Sequence, residues 1–374
     1  MSWEVQPVET PSHLTAFIRL PYTLYRNCPH WVPPLEMERR KFLDPGRNPF
    51  FEHAEAAHFL LLDGKKTPAG RISGVIDRNH NDYHQERTAF FGLFECIDDP
   101  AAAAALLDRV QDWARDRGMD RLRGPMNLST NHECGLLVEG FDRDPVLGMP
   151  YNPPYYASLL ETWGLAKCKD LLSFKVDTVH KVPDYMREAT EKILKRGRFE
   201  WRPFRTGRFR EELNKVWEIY NDAWSRNWGF VPMTHKEFLF AAGEMKPILI
   251  PELCMIAEVK GEPAGFSLSL PDFNQTLKKM KGRLFPFGLF HFLTGRKRAS
   301  IVRTLTLGVK PKFRRLGMEV VFIDRTYQWA LDHGVKLCDQ SWILEDNNAM
   351  IQPILRVGGT IYKRHRIYER PLAS

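Results

Sequence analysis

No two of the six cysteines stand as a C-x-x-C pair, and none has the spacing of a metal ligand. A disulfide scaffold and a structural zinc site are therefore excluded in favour of a reduced, cytoplasmic chain with no metal. The first residues, MSWEVQPVETPSHL, lack the basic start and apolar core of a secretory signal. No run approaches the roughly 20 apolar residues needed to span a bilayer, so any membrane contact is expected to be peripheral, on the inner face. What the chain does have is bulk and positive charge. Its 374 residues suffice for two domains, each with its own core. Lysine and arginine number 54 against 46 aspartates and glutamates, which favours an anionic partner without naming it.

The most informative stretch is Arg303 to Ile323, RTLTLGVKPKFRRLGMEVVFI. It alternates as a strand up to Val309, turns at Pro311, and takes helical spacing from Met318 onward. The turn carries Arg314, Arg315 and Gly317, which combines two guanidinium groups, a close backbone approach and the free amides of a helix start. Such a turn suits a pyrophosphate. A strand-turn-helix with a merely solvated basic turn is the simpler alternative.

The pattern V-x-P-x-F-R-R-x-G resembles the acyl-CoA loop of the GNAT N-acyltransferase superfamily, with Arg314 and Gly317 matching and Glu319 standing where the family has a small residue. The segment from Ile343 to Arg370 resembles the family's next motif through Asn347, Met350 and Gly358. The resemblance implies an α/β fold with a mixed sheet in which two strands splay around the pantetheine arm of acyl-CoA. It implies cofactor contacts at Leu307, Val309, Arg314, Arg315, Leu316, Gly317, Met318 and Asn347. The family's tyrosine acid would fall at Ile354, so Tyr362 and Tyr368 become the substitutes.

Ahead of this stretch, the order of helix, hairpin, strand and helix occurs twice. We expect two tandem GNAT-like domains: 1–177 without a recognisable acyl-CoA loop, a helical linker at 178–200, and the binding domain at 201–374. In the first, DDPAAAAALL stands where arginine and glycine would be needed. Its GPMNLSTNHECG stretch brings together His132 and Glu133, candidates for base and partner if the loop faces a shared cleft, or else part of a turn-capping network.

The 272–300 insertion places four phenylalanines and three leucines between Leu284 and Leu293, flanked by lysines and arginines. Residues 278–298 would suit an anionic membrane surface, with interdomain packing as the alternative. Nucleic acid is not expected, because its readers space their aromatics along a groove or sheet. Across its length the chain resembles a bacterial group of tandem GNAT-like proteins that includes ceramide synthases, which implies transfer from a fatty acyl-CoA to a lipid amine, a sphingoid base. Acetyl transfer to a small soluble amine or peptide and a non-catalytic CoA- or lipid-binding module stay open beside it.

Overall fold

The computed structural model describes residues 2–178, 184–282 and 299–372. The chain forms two compact units, Met1–Leu171 with Leu277–Gly288 and Lys363–Ser374, and Leu172–Thr276 with Leu289–Tyr362. This division departs from the one expected at residue 177, because the C-terminal segment joins the first unit. The Phe-rich run of the insertion falls within 283–298, outside the described residues.

In the first unit, the hairpin of strands Ala54–Leu62 and Pro68–Asp77 is extended by Thr88–Cys96, all antiparallel. Helix Pro100–Arg115 then crosses over to strand Arg121–Gly124, which lies parallel to Thr88–Cys96. The helix buries Leu106, Leu107, Val110, Trp113 and Ala114, a stripe at helical spacing. Fully burying a leucine or valine contributes roughly 1.5–3 kcal/mol, so this face holds the helix on the sheet. Glycine at 70 and 74 lets it come close: a Cβ at either position would fall 2.8 Å from Leu106 or Trp113. Beyond Arg121–Gly124, the place of the next strand is taken by Tyr368 to Pro371, from the end of the chain.

The second unit repeats the plan. Strand Glu200–Pro203 forms an edge, and Cys254–Val259 and Glu262–Pro271 form the hairpin. Ile301–Val309 pairs antiparallel with the hairpin, and helix Met318–Asp332 crosses to the parallel strand Leu337–Leu344. The strand beyond that is the latter part of Ala166–Asp177, so here too the last place is filled from elsewhere in the chain. Met318, Val321 and Phe322 pack onto Met255, Ala257, Ala264 and Val309. Helix Asp184–Lys195, expected within a linker, is part of this unit and packs against Met318–Asp332.

Candidate active site

Strands Ile301–Val309 and Leu337–Leu344 pair only from Ile301 opposite Leu337 to Thr304 opposite Gln340. Past that point they share no register, and a wedge opens between them. On its other edge, Ile301–Val309 skips a residue against Glu262–Pro271: Leu268 faces Thr306 and Ser269 faces Thr304. This bulge at Leu305 bends the strand where the parallel pairing stops, the place where bulges commonly re-aim a backbone. Leu307 and Val309 lie on the portion of the strand past this parallel pairing.

The strand runs into the basic turn, and helix Met318–Asp332 follows with Gly317 at its N-cap, where the helical spacing from Met318 onward puts it. Gly317 adopts φ +90, and a Cβ there would fall 2.7 Å from Ile193, so glycine is required twice over. No side chain caps this helix. Among the described residues the amides of Arg315, Leu316, Gly317, Met318, Glu319 and Val320 meet no acceptor, and the first backbone bond of the helix is Val321 to Gly317 at 3.3 Å. A row of unspent donors at the positive end of a 15-residue helix fits a phosphate or pyrophosphate.

The two arginines divide the work. Arg314 donates to the carbonyl of Ala223 at 3.0 Å and of Val309 at 3.4 Å, which ties the turn to the end of helix Phe209–Ala223. Arg315, exposed and at φ +71, has no partner among the described residues and presents the guanidinium that can meet an anion. Met318 contributes its amide while its side chain is fully buried. Glu319 has one carboxylate oxygen buried and without a hydrogen bond among the described residues, so it is turned at least partly inward. Asn347 begins helix Asn348–Arg356 without spending its side chain on a cap.

The corresponding places in the first unit are closed. Pairing of its parallel strands ends at Phe90 opposite Arg123. The next residues fill the wedge, with Met126 N donating to Phe91 O at 2.7 Å and Leu93 N to Asn127 Oδ1 at 2.7 Å. Gly92 sits so close that a Cβ would fall 1.8 Å from Met126 O. At the helix start, Asp99 Oδ1 accepts from Ala101 N at 2.8 Å and Ala102 N at 3.1 Å. Its own carboxylate occupies the amides a phosphate would need.

Among the acid and base candidates, Glu133 has both oxygens engaged, by Arg39 at 2.6 Å and Asn127 at 2.9 Å. Burial pushes its carboxyl up, but Arg39 and these hydrogen bonds prevail and hold it below the usual carboxylate range. It is therefore a weak base and a strong anchor for the loop. His132 packs edge-on against Phe42 and Phe50, with Nδ1 3.0 Å from Ser129 Oγ. Tyr368 is fully buried in the first unit and donates to Glu161 at 2.9 Å, an environment of a packing tyrosine. Ile354, at the family's usual acid position, is a core residue. Tyr362 belongs to the second unit and donates to Asp339 Oδ2 at 2.6 Å. Sequence reasoning missed Asp339; the available signal was an acidic residue inside the apolar run VKLCDQSW.

No protein-family profile matches the chain. Among solved structures, a tandem GNAT protein from the clavulanic acid biosynthesis pathway aligns with a TM-score of 0.59 at 12% identity, covering 100% of this chain and 99% of its own. A GCN5-related N-acetyltransferase from Sphaerobacter thermophilus aligns at 0.55 and 13%, covering 100% and 96%. The fold is thus a tandem GNAT fold. A bacterial ceramide synthase from Caulobacter vibrioides is 38% identical over 375 residues, 98% of this chain and 97% of that protein. Protein YghO of Escherichia coli is 33% identical over 368 residues, 96% and 93%. The chain belongs to the bacterial ceramide synthase family and is a GNAT-type N-acyltransferase.

Proposed function

We propose that this chain transfers a long acyl group from acyl-CoA to the primary amine of a long-chain lipid, with a sphingoid base as the acceptor class. The observation that carries the acyl-CoA part is the uncapped amide row from Arg315 to Val320, set at the end of a strand that has parted from its parallel neighbour. The diphosphate would lie on those amides and Arg315, and the pantetheine arm would follow the wedge toward the bulge at Leu305. Binding there holds the thioester carbonyl in place for the amine, and positioning supplies most of what acyl transfer needs. The leaving thiolate needs little help, because a thiol ionises near pH 8.5, which accords with a core isoleucine at position 354. The amine's proton has two candidate destinations, His132 and Tyr362.

The lipid acceptor rests on the name of the Caulobacter relative and on the sequence between Leu284 and Leu293, where apolar side chains between cations suit a headgroup region. No helix among the described residues is long and apolar enough to cross a membrane. Of the flanking lysines, Lys278 is engaged by Asp144 at 2.5 Å, leaving the remaining cations to meet anionic lipid.

The test is release of free CoA from purified protein, supplied with acyl-CoAs of increasing chain length and with sphinganine, a short soluble amine or a peptide. The reading expects turnover that rises with acyl length and requires the long-chain amine. Strict preference for acetyl-CoA, or an equal rate on soluble amines, would overturn the lipid part. Sedimentation with anionic liposomes, compared between wild type and Phe287→Ser with Phe290→Ser, checks the surface: unchanged binding would assign those phenylalanines to interior packing.

A further inference from the structure

Where the parallel pairing of the two strands stops, their residues carry a buried polar network. Thr304 and Gln340 are the last paired residues, and Ser341 is the first of its strand beyond them. Arg303 Nη2 donates to Ser341 O at 2.9 Å and its Nε to Ser341 Oγ at 3.0 Å, which holds the serine at the apex. Ser341 Oγ in turn donates to Asp339 Oδ1 at 2.5 Å. The other oxygen of Asp339 accepts from Tyr362 at 2.6 Å, and the Arg303 guanidinium stands 3.8 Å from the carboxylate. Asp339 is fully sealed from solvent, Ser341 and Arg303 nearly so, and Tyr362 is half-buried. Tyr362 is thus the member of the network with surface to offer a ligand.

We propose that Tyr362 and Asp339 form a relay that takes the proton from the attacking amine, with Tyr362 touching the substrate nitrogen and Asp339 acting behind it as a positioning residue and proton store. This rests on the acyl-CoA reading above. The direction of hydrogen bonding favours a base over an acid. A hydroxyl that already donates inward can still accept from outside through its oxygen. Burial, and then the Asp339 charge, push the Tyr362 phenol above its usual range, so surrendering its proton outward to a thiolate is disfavoured. Passing a proton through costs no lasting phenolate.

In balance, the amine lone pair forms the new C–N bond to the thioester carbonyl carbon as the C=O π pair moves onto oxygen, and the nitrogen becomes cationic. Its N–H breaks as a Tyr362 O–H forms, while the original Tyr362 proton moves to Asp339. The oxyanion then re-forms the C=O bond as the C–S bond breaks, and the thiolate leaves with the electron pair. The stored proton returns through Tyr362 to water and the thiolate is protonated from solvent, so amine and thioester become amide and thiol with the enzyme restored.

The test is steady-state kinetics of Tyr362→Phe, Asp339→Asn and Asp339→Glu with long-chain acyl-CoA and sphinganine, beside acyl-CoA affinity by calorimetry and thermal melting. Tyr362→Phe should lower kcat by at least about 100-fold while the acyl-CoA Kd stays near wild type, and Tm should fall because Asp339 loses a donor. The deficit should shrink with rising pH, since hydroxide replaces the missing acceptor; the charged groups that bear on Tyr362 are Asp339, Asp272 and Arg303. Asp339→Glu should recover part of the activity that Asp339→Asn loses. A Tyr362→Phe enzyme within about threefold of wild-type kcat would overturn the relay, as would kcat and affinity falling together. The phenylalanine ring keeps the packing of a half-buried site, so this variant decides the matter even if Asp339 variants fail to fold. A wild-type protein that neither binds acyl-CoA nor acylates any amine would overturn the underlying reading; an active wild type beside an equally active Tyr362→Phe overturns the relay alone.

Discussion

Gly308 lies against Trp224 so closely that a Cβ on the glycine would fall 2.2 Å from the indole ring. Trp224 closes helix Phe209–Ala223 and stacks at a tilt near Phe266, so the ring has little room to yield. Gly308→Ala should therefore destabilise the chain by about 1–3 kcal/mol, the usual range for overpacking. Acyl-CoA affinity should fall with it, because Gly308 leads the strand into the basic turn. Urea denaturation with calorimetry on the same samples checks both; a variant as stable as wild type would show that the indole moves freely.

Arg315 and Arg314 should separate in a binding experiment. Replacing Arg315 by Asn, which tolerates the left-handed backbone there, removes a charge with no partner among the described residues and should cost roughly 1.5–3 kcal/mol of acyl-CoA affinity at an unchanged Tm. Arg314→Ala should lower both, since it unties the turn from Ala223. Equal effects on Tm from the two would contradict this division. On the same assay Glu319→Gln should tighten binding severalfold, on the order of 1 kcal/mol for one carboxylate moved from beside a diphosphate.

One acyl-CoA per chain is the expected stoichiometry. The first unit's equivalent helix start is closed by Asp99, and its wedge is filled by Met126 and Asn127. Asp99→Ala should cost about 1 kcal/mol of stability as a lost cap and create no second site, because no arginine or left-handed glycine stands beside it. Calorimetric titration giving two equivalents for either protein would refute the assignment.

Acid should weaken the first unit through two buried histidines. His58 is lowered from 6.5 to about 4 by burial and then by Arg71, and His80 to about 4 by burial and then by His84. Unfolded histidine takes up its proton below pH 6.5, while the folded pair resists until about pH 4, so the unfolded state binds more protons across that window. The stability these groups confer is complete above pH 6.5 and is lost as pH falls toward 4, on the order of a few kcal/mol together. Melting curves between pH 7 and pH 4.5 should show the decline, and it should flatten in a protein carrying His58→Gln and His80→Gln.

Local chemistry made much of the fold readable in the chain itself. Strand alternation up to Val309, the proline at 311, the glycine at 317 and the apolar stripe after it placed the strand, the basic turn and the helix start, because each depends on neighbours a few residues away. The doubled order of elements foretold a tandem fold for the same reason. The stretch DDPAAAAALL announced a first-half helix start without arginine or glycine, since composition at a helix start is a local matter.

The pieces that depend on distant partners came only with the tertiary structure. Nothing local says that Arg314 is engaged by a carbonyl at Ala223 while Arg315 stays exposed, or that Glu133 is held by Arg39 and made a poor base. The last strand's departure to the first unit is a matter of which edge offers the better partner, and no periodicity records it. Asp339 is the sharpest case. In the chain it is an acid inside an apolar strand, and it becomes chemically meaningful once folding brings Arg303, Ser341 and Tyr362 to it, since a buried carboxylate is tolerable only where donors meet its oxygens.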